Sequence, residues 1–163
     1  MNYGGIYKFS LADGVGCRLV LFISGCDHQC KNCQNQKLWN EKSGKLFTEN
    51  IYNIICEQLK RPELDGITLS GGDPLYKNNR KDVLELVKNL KNQFPSKTIW
   101  LYTGYKWEQI KDIEIMKYID VIVDGKFEED KKDITLAFRG SKNQRIIDVQ
   151  KSLKSNKIVE LNY

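Results

Sequence analysis

Three cysteines, Cys26, Cys30 and Cys33, lie in the run GCDHQCKNC with the spacing C-x3-C-x2-C. Thiolates are the soft ligands that zinc and iron–sulfur clusters take, and a structural or electron-carrying site is normally closed by four of them. A cubane 4Fe–4S cluster held by three cysteines leaves one iron without a protein ligand, free to bind a substrate. Three other readings compete. Zinc would take the same thiols plus His28, the single histidine, which stands closer to Cys26 and Cys30 than zinc ligand spacings allow. A disulfide framework conflicts with an odd count of five cysteines. Unrelated core thiols would not crowd three into so short a run. Cys17 and Cys56, by contrast, stand alone in apolar surroundings and read as core thiols.

The second chemical motif is Gly71-Gly72-Asp73-Pro74, directly after the apolar segment GITLS (66–70). Paired glycines let backbone approach a ligand and take positive φ angles. Alone, the motif is a tight turn. After an open three-cysteine site it gains meaning, because its polar backbone groups could hold the amine of an amino-acid ligand chelating the open iron.

These motifs need elements to carry them. Four β-branched, near-continuously apolar segments read as strands buried on both faces: RLVLFIS (18–24), GITLS (66–70), TIWLY (98–102) and DVIVD (120–124). Helical spacing predicts a helix from Thr48, with Ile51, Ile54, Ile55 and Leu59 inward, ending before Pro62. A second runs from Arg80 to Phe94 and a third over 106–118, with Trp107, Ile110, Ile113 and Met116 inward. Alternation of this kind implies βαβ units. Each predicted strand leads directly into something distinctive: the cysteine loop, GGDP, TGY (103–105) and DGKF (124–127). Ligands bind at the carboxyl ends of parallel strands, so the four loops should share one rim. A full barrel takes about 250 residues. The expected fold class is therefore α/β, a partial (open) TIM-like βα barrel with a mostly parallel sheet.

Composition narrows the class. The chain has 163 residues, 40% hydrophobic and 29% charged, which suits one soluble domain over 1–163. No apolar run reaches the roughly 20 residues of a membrane span, and no signal sequence opens the chain, so a cytoplasmic protein is expected. The net charge of +5 comes from 26 basic residues dispersed among 21 acidic ones. The densest basic stretch, KSLKSNK (151–157), has no aromatic to stack on bases, which argues against nucleic acid. Residues 151–163 are expected to form a basic, loosely ordered tail.

Taken together, these residues resemble the radical S-adenosylmethionine (SAM) superfamily. Within it they are similar to the activating proteins of anaerobic (class III) ribonucleoside-triphosphate reductases. The resemblance runs from MNY (1–3) through GCR (16–18), LFISGC (21–26), Asn35, Trp39, LSGGDPL (69–75), LYTGY (101–105), VDGKF (123–127) and FRGSKNQ (138–144). TGY, VDGKF and RGSxNQ together distinguish it from the activase of pyruvate formate-lyase, the next reading, ahead of a structural zinc or iron–sulfur module. It implies that Cys26, Cys30 and Cys33 ligate 4Fe–4S and that SAM chelates the fourth iron. Asn32, Cys33 and Gln34 would touch SAM beside the cluster, and Gly72 its methionyl part, with Gly71 and Asp73 as further candidates. Where the family usually has an aromatic after the third cysteine, this chain has Gln34. His28 and Lys31 are assigned no catalytic role.

The implied activity is that of an oxidoreductase. One electron, from a donor protein, cleaves SAM to methionine and a 5′-deoxyadenosyl radical. That radical takes a hydrogen atom from a glycine of the reductase and leaves a glycyl radical. The cofactors carry this chemistry, so no catalytic acid or base is expected beyond the cluster ligands.

Overall fold

In a computed structural model describing residues 1–163, the chain runs β1 (Asn2–Ser10), β2 (Arg18–Ile23), β3 (Lys45–Leu46), α1 (Glu49–Leu59), β4 (Gly66–Gly71) and α2 (Arg80–Gln93). It continues with β5 (Thr98–Tyr102), α3 (Trp107–Ile110), β6 (Val121–Asp124), β7 (Arg145–Asp148) and α4 (Val149–Ser155). The four apolar segments thus form β2, β4, β5 and β6. These strands are parallel neighbours in that order, with Leu21 opposite Leu69 and Leu69 opposite Leu101. Their carboxyl ends therefore lie along one edge, where the cysteine loop, GGDP, TGY and DGKF begin.

The sheet as a whole is mixed rather than mostly parallel. Its order is β3-β1-β2-β4-β5-β6-β7, and β1, β3 and β7 all pair antiparallel. The outer strands carry no apolar run because their faces are not both buried. Much of β1 (NYGGIYKFS) faces solvent, and β7 holds only Ile146 and Ile147 in the core.

Register divides the sheet into two unlike faces, since side chains alternate along each strand. Leu19, Leu21, Ile23, Ile67, Leu69, Ile99, Leu101, Ile122 and Ile147 join one buried cluster. Every helix feeds it: α1 through Ile55 and Leu59, α2 through Val83, Leu86, Val87 and Leu90, α3 through Trp107 and Ile110, α4 through Val149. The opposite face presents Arg18, Thr68, Trp100, Tyr102, Val121, Val123 and Ile146, covered only by loops and the C-terminal residues.

Helices α1 and α2 match their predicted spans. The third does not: α3 stops at Ile110, and a 3-10 turn, Glu114–Tyr118, follows. Ile113 is extended (ψ 144°), which breaks the helix; Ile115 and Met116 are buried, and Ile113 packs partly buried against the same cluster. The tail also differs from expectation. Asp148 caps α4 by accepting from the Lys151 amide at 3.0 Å, and Asn156 ends it in the left-handed conformation. Beyond the turn, the Leu161 amide donates to Ile146 O at 2.7 Å. Those backbone bonds order the tail despite its basic composition.

Candidate functional site

The cysteine loop leaves β2 through Ser24 and Gly25 and is tied down at its start. The Gly25 amide donates to Leu38 O (2.7 Å) and the Cys26 amide to Trp39 O (2.9 Å). Two left-handed residues, Gln29 (φ 52°) and Asn32 (φ 57°), each directly precede a cysteine and reverse the chain there. Around the second of them the Cys33 amide donates to Cys30 O at 3.2 Å, closing a turn. Asparagine takes such a conformation more readily than most residues. The result is three free, half-buried thiols, Cys26, Cys30 and Cys33, on one loop at the mouth of the parallel strands. Cys17 and Cys56 are buried elsewhere.

Burial disfavours the thiolate at Cys26 and Cys30. Burial pushes the Cys26 thiol up to about 11, opposed by a backbone bond from His28. Burial also raises Cys30, opposed by backbone at Phe127 and by the charge of Lys126. A bound metal reverses this balance and displaces the protons. No three side chains converge on one point as the ligands of a single ion would. Three free thiols on one loop are nonetheless the soft donor set that a 4Fe–4S cluster takes.

GGDP docks directly under this loop. The Gly72 amide donates to Ile23 O and the Asp73 amide to Gly25 O, both at 2.7 Å. Gly71 has φ +111°, and a Cβ on Gly72 would sit 2.6 Å from Gly25 O and 2.7 Å from Leu38 O. Only glycine lets the two loops touch here. Asn79, at the start of α2, donates to Ser24 O at 2.8 Å and fixes the contact from behind.

The structure therefore brings Gly72 against the base of the cysteine loop. Asn32 and Gln34 sit exposed on that loop, and Gly71 is buried at the end of β4. Gln34 also borders a groove of about 430 Å³ on the loop-covered face, with Tyr102, Phe127, Phe138 and Asp13 among its walls. The Asp73 carboxylate is not on this surface: it is fully buried and turned toward TGY. Residues that the sequence reading left without a role meet it there, His28 above all. A lone histidine in the middle of the cysteine loop was the signal that could have found it.

The remaining motifs brace one another. Asp124, buried at the end of β6, accepts from the Trp107 amide (2.7 Å) and from Arg145 Nε (3.0 Å). That pairing and Glu108 push the Arg145 guanidinium further up. In RGSKNQ, Gln144 accepts from the Gly140 amide at 2.9 Å and donates to Gly125 O at 3.1 Å, while Asn143 donates to Lys126 O at 2.8 Å. The motif thus clamps the DGKF loop that approaches Cys30.

With this geometry in place, comparison with known proteins is informative. A family model described as a 4Fe-4S single cluster domain matches residues 12–147. The chain is 48% identical over 146 residues to a protein of Enterobacteria phage T4, covering 90% of this chain and 93% of that one. It is 44% identical over 150 residues to one from Vibrio cholerae, covering 90% and 97%. It is 42% identical over 148 residues to one from Escherichia coli K12, covering 88% and 96%. All three are named anaerobic ribonucleoside-triphosphate reductase-activating protein.

Proposed function

The chain belongs to the family of anaerobic ribonucleoside-triphosphate reductase-activating proteins and carries their 4Fe–4S domain, and from this premise we propose that it activates such a reductase. In this reading Cys26, Cys30 and Cys33 hold the cluster, and the activated partner is the reductase itself. With a 4Fe–4S cluster and SAM bound, the site supplies reductive cleavage of SAM and removal of a hydrogen atom from a reductase glycine.

The chain's own residues bind, orient and shield. The left-handed turns at Gln29 and Asn32 aim the thiols. Gly72 brings the GGDP backbone against the base of the cysteine loop, and in this reading Asn32, Cys33 and Gln34 touch the same SAM molecule. Half-burial of the thiols limits access of water and oxygen. An electron must reach this loop from a donor protein, and reduced thiols of this kind belong in the cytoplasm. No helix is long and apolar enough to cross a membrane.

We read the fold as an open TIM-like barrel wall. The support is that every helix packs on one face of the parallel strands, whereas a doubly wound sheet carries helices on both. The single observation that carries the function is three free thiols on the loop between β2 and β3, with GGDP hydrogen-bonded beneath them. The test is anaerobic reconstitution with iron and sulfide, reduction, addition of SAM, and quantification of methionine and 5′-deoxyadenosine. Wild type is expected to form both products and Cys30→Ala neither. Intact SAM beside one bound zinc would sink the proposal.

A further inference from the structure

Asp73 offers a carboxylate next to Gly72, and a carboxylate there invites the reading that it holds the SAM amine. Its hydrogen bonds say otherwise. Oδ1 accepts from the Leu75 amide (2.8 Å), and Oδ2 from the Gly104 amide (2.9 Å) and from His28 Nε2 (2.6 Å). The Thr103 hydroxyl, with one proton to share, lies 2.9 Å from both oxygens. A carboxylate has about four acceptor positions, and four donors already use them. The side chain is fully buried, so none is left for a ligand.

The donors come from three different strand-end loops: the cysteine loop, GGDP and TGY. His28 is the only one of them that tethers the cysteine loop through a side chain. Its side chain is only 8% exposed. It packs edge-on against Tyr105 with centroids 4.6 Å apart, and Arg80 of α2 lies over the other part of that ring at 5.4 Å. A Cβ on Gly104 would come within 2.4 Å of His28 Cδ2, so TGY needs its glycine to admit the ring.

We infer that His28 and Asp73 form a buried strap that sets the cysteine loop against GGDP, with His28 a positioning residue and the Asp73 side chain no ligand of SAM. This rests on the cluster-and-SAM reading above. Where a cluster held by Cys26, Cys30 and Cys33 would stand relative to the Gly72 backbone depends on where the loop sits. A tether worth one charge-assisted bond in a dry site is strong enough to set it. Outer partners of this kind typically change ligand affinity or activity about 10–100-fold when removed.

The test uses the full chain as wild type, His28→Ala, His28→Gln and Gly104→Ala. Gln can present an amide N–H where Nε2 stands, and Gly104→Ala displaces the ring without touching it chemically. Hydrogen exchange of residues 26–35 in the metal-free chain reads the strap alone. SAM binding to the reduced cluster, followed by its electron-spin-resonance signal at matched iron content, reads the consequence. His28→Ala and Gly104→Ala are expected to exchange about 10–100-fold faster, as loss of one hydrogen bond to a carboxylate implies, and to bind SAM more weakly, with His28→Gln largely restored. His28→Ala exchanging and binding like wild type, or His28→Gln failing as badly as Ala, would overturn the inference. If wild type itself shows no response to SAM, the proposed function fails, and the exchange rates still decide the strap.

Discussion

The two faces of the sheet are built on different physics. The helix-covered face is aliphatic and continuous, with 26 buried residues in one cluster. The opposite face has a cluster of only four, Trp100, Val121, Val123 and Ile146, among polar and aromatic neighbours. There the fully buried Arg18 lies over Trp100 at 5.5 Å, and Tyr102, Phe138 and Tyr163 complete the cover. Burial of apolar area dominates folding energy, so the first face carries the stability. That leaves the second free to carry grooves and hydrogen bonds that a packed core would exclude. The site loops grow from the strand ends where the two faces meet.

If that division holds, the largest loss should come from the helix-covered face. Leu69, in the middle of β4, is fully buried there. Leu69→Ala is expected to cost about 2–5 kcal/mol, because lost transfer energy and a residual cavity add. Denaturant unfolding of the metal-free chain measures it. A loss below about 1 kcal/mol would mean that this face is not the one holding the fold.

Arg18 should behave oppositely. It donates to Thr68 Oγ1 (2.7 Å), Ile67 O (2.8 Å), Thr98 O (2.9 Å), Thr98 Oγ1 (3.0 Å) and Val15 O (3.1 Å), yet no carboxylate pairs with it. Burial lowers its pKa to about 10. A base with a lowered folded pKa binds its proton less well when folded, so the charge opposes folding at neutral pH. That penalty is relieved only as pH rises through about 10 toward the unfolded value. Arg18→Met, which fills similar volume, removes that penalty but leaves buried oxygen acceptors without this donor, so it is expected to cost about 1–3 kcal/mol, less than five lost bonds would suggest. The stability difference should stay level from neutral pH upward and move in favour of wild type above pH 10. A flat difference through that range would show that the guanidinium is better solvated than its burial implies.

Legibility followed the same division. On the aliphatic face β2, β4, β5, β6, α1 and α2 are readable, because burial on both faces leaves an apolar run and helix packing leaves a 3.6-residue stripe, whereas α3 reads too long and α4 is missed. The outer strands and the ordered tail were not readable, since their backbone pairing leaves little trace in side-chain pattern. In the site, the cysteines and Gly71-Gly72 announced themselves by type and spacing. His28 did not, because its partner Asp73 lies 45 residues away and only the fold joins them. Asp73 was noticed for its charge, but sequence cannot tell whether a carboxylate faces a ligand or is consumed inside. Likewise TGY was visible as a motif, while the reason for its glycine is the space that the His28 ring occupies.

The smallest expected effect sharpens the comparison most, because it separates local cover from global stability. Tyr102 Oη donates to Phe138 O at 2.7 Å, and Phe138 holds a left-handed φ of 57°, which a bulky side chain seldom adopts. Its ring is kept there by Trp100 at 5.6 Å and Tyr163 at 5.4 Å. The Tyr102 hydroxyl thus helps hold the segment bearing the exposed Ile134 over the groove beside Gln34. Tyr102→Phe keeps the ring and removes one bond, so global stability should fall by only about 1 kcal/mol. Locally, the strained turn loses its anchor, and trypsin should cut at Lys131, Lys132 or Arg139 sooner than in wild type while the rest of the chain stays intact. Equal cleavage rates would mean that the aromatic packing alone holds the cover. Cleavage spread across the chain would mean instead that the two faces unfold together, and the division drawn between them would fail.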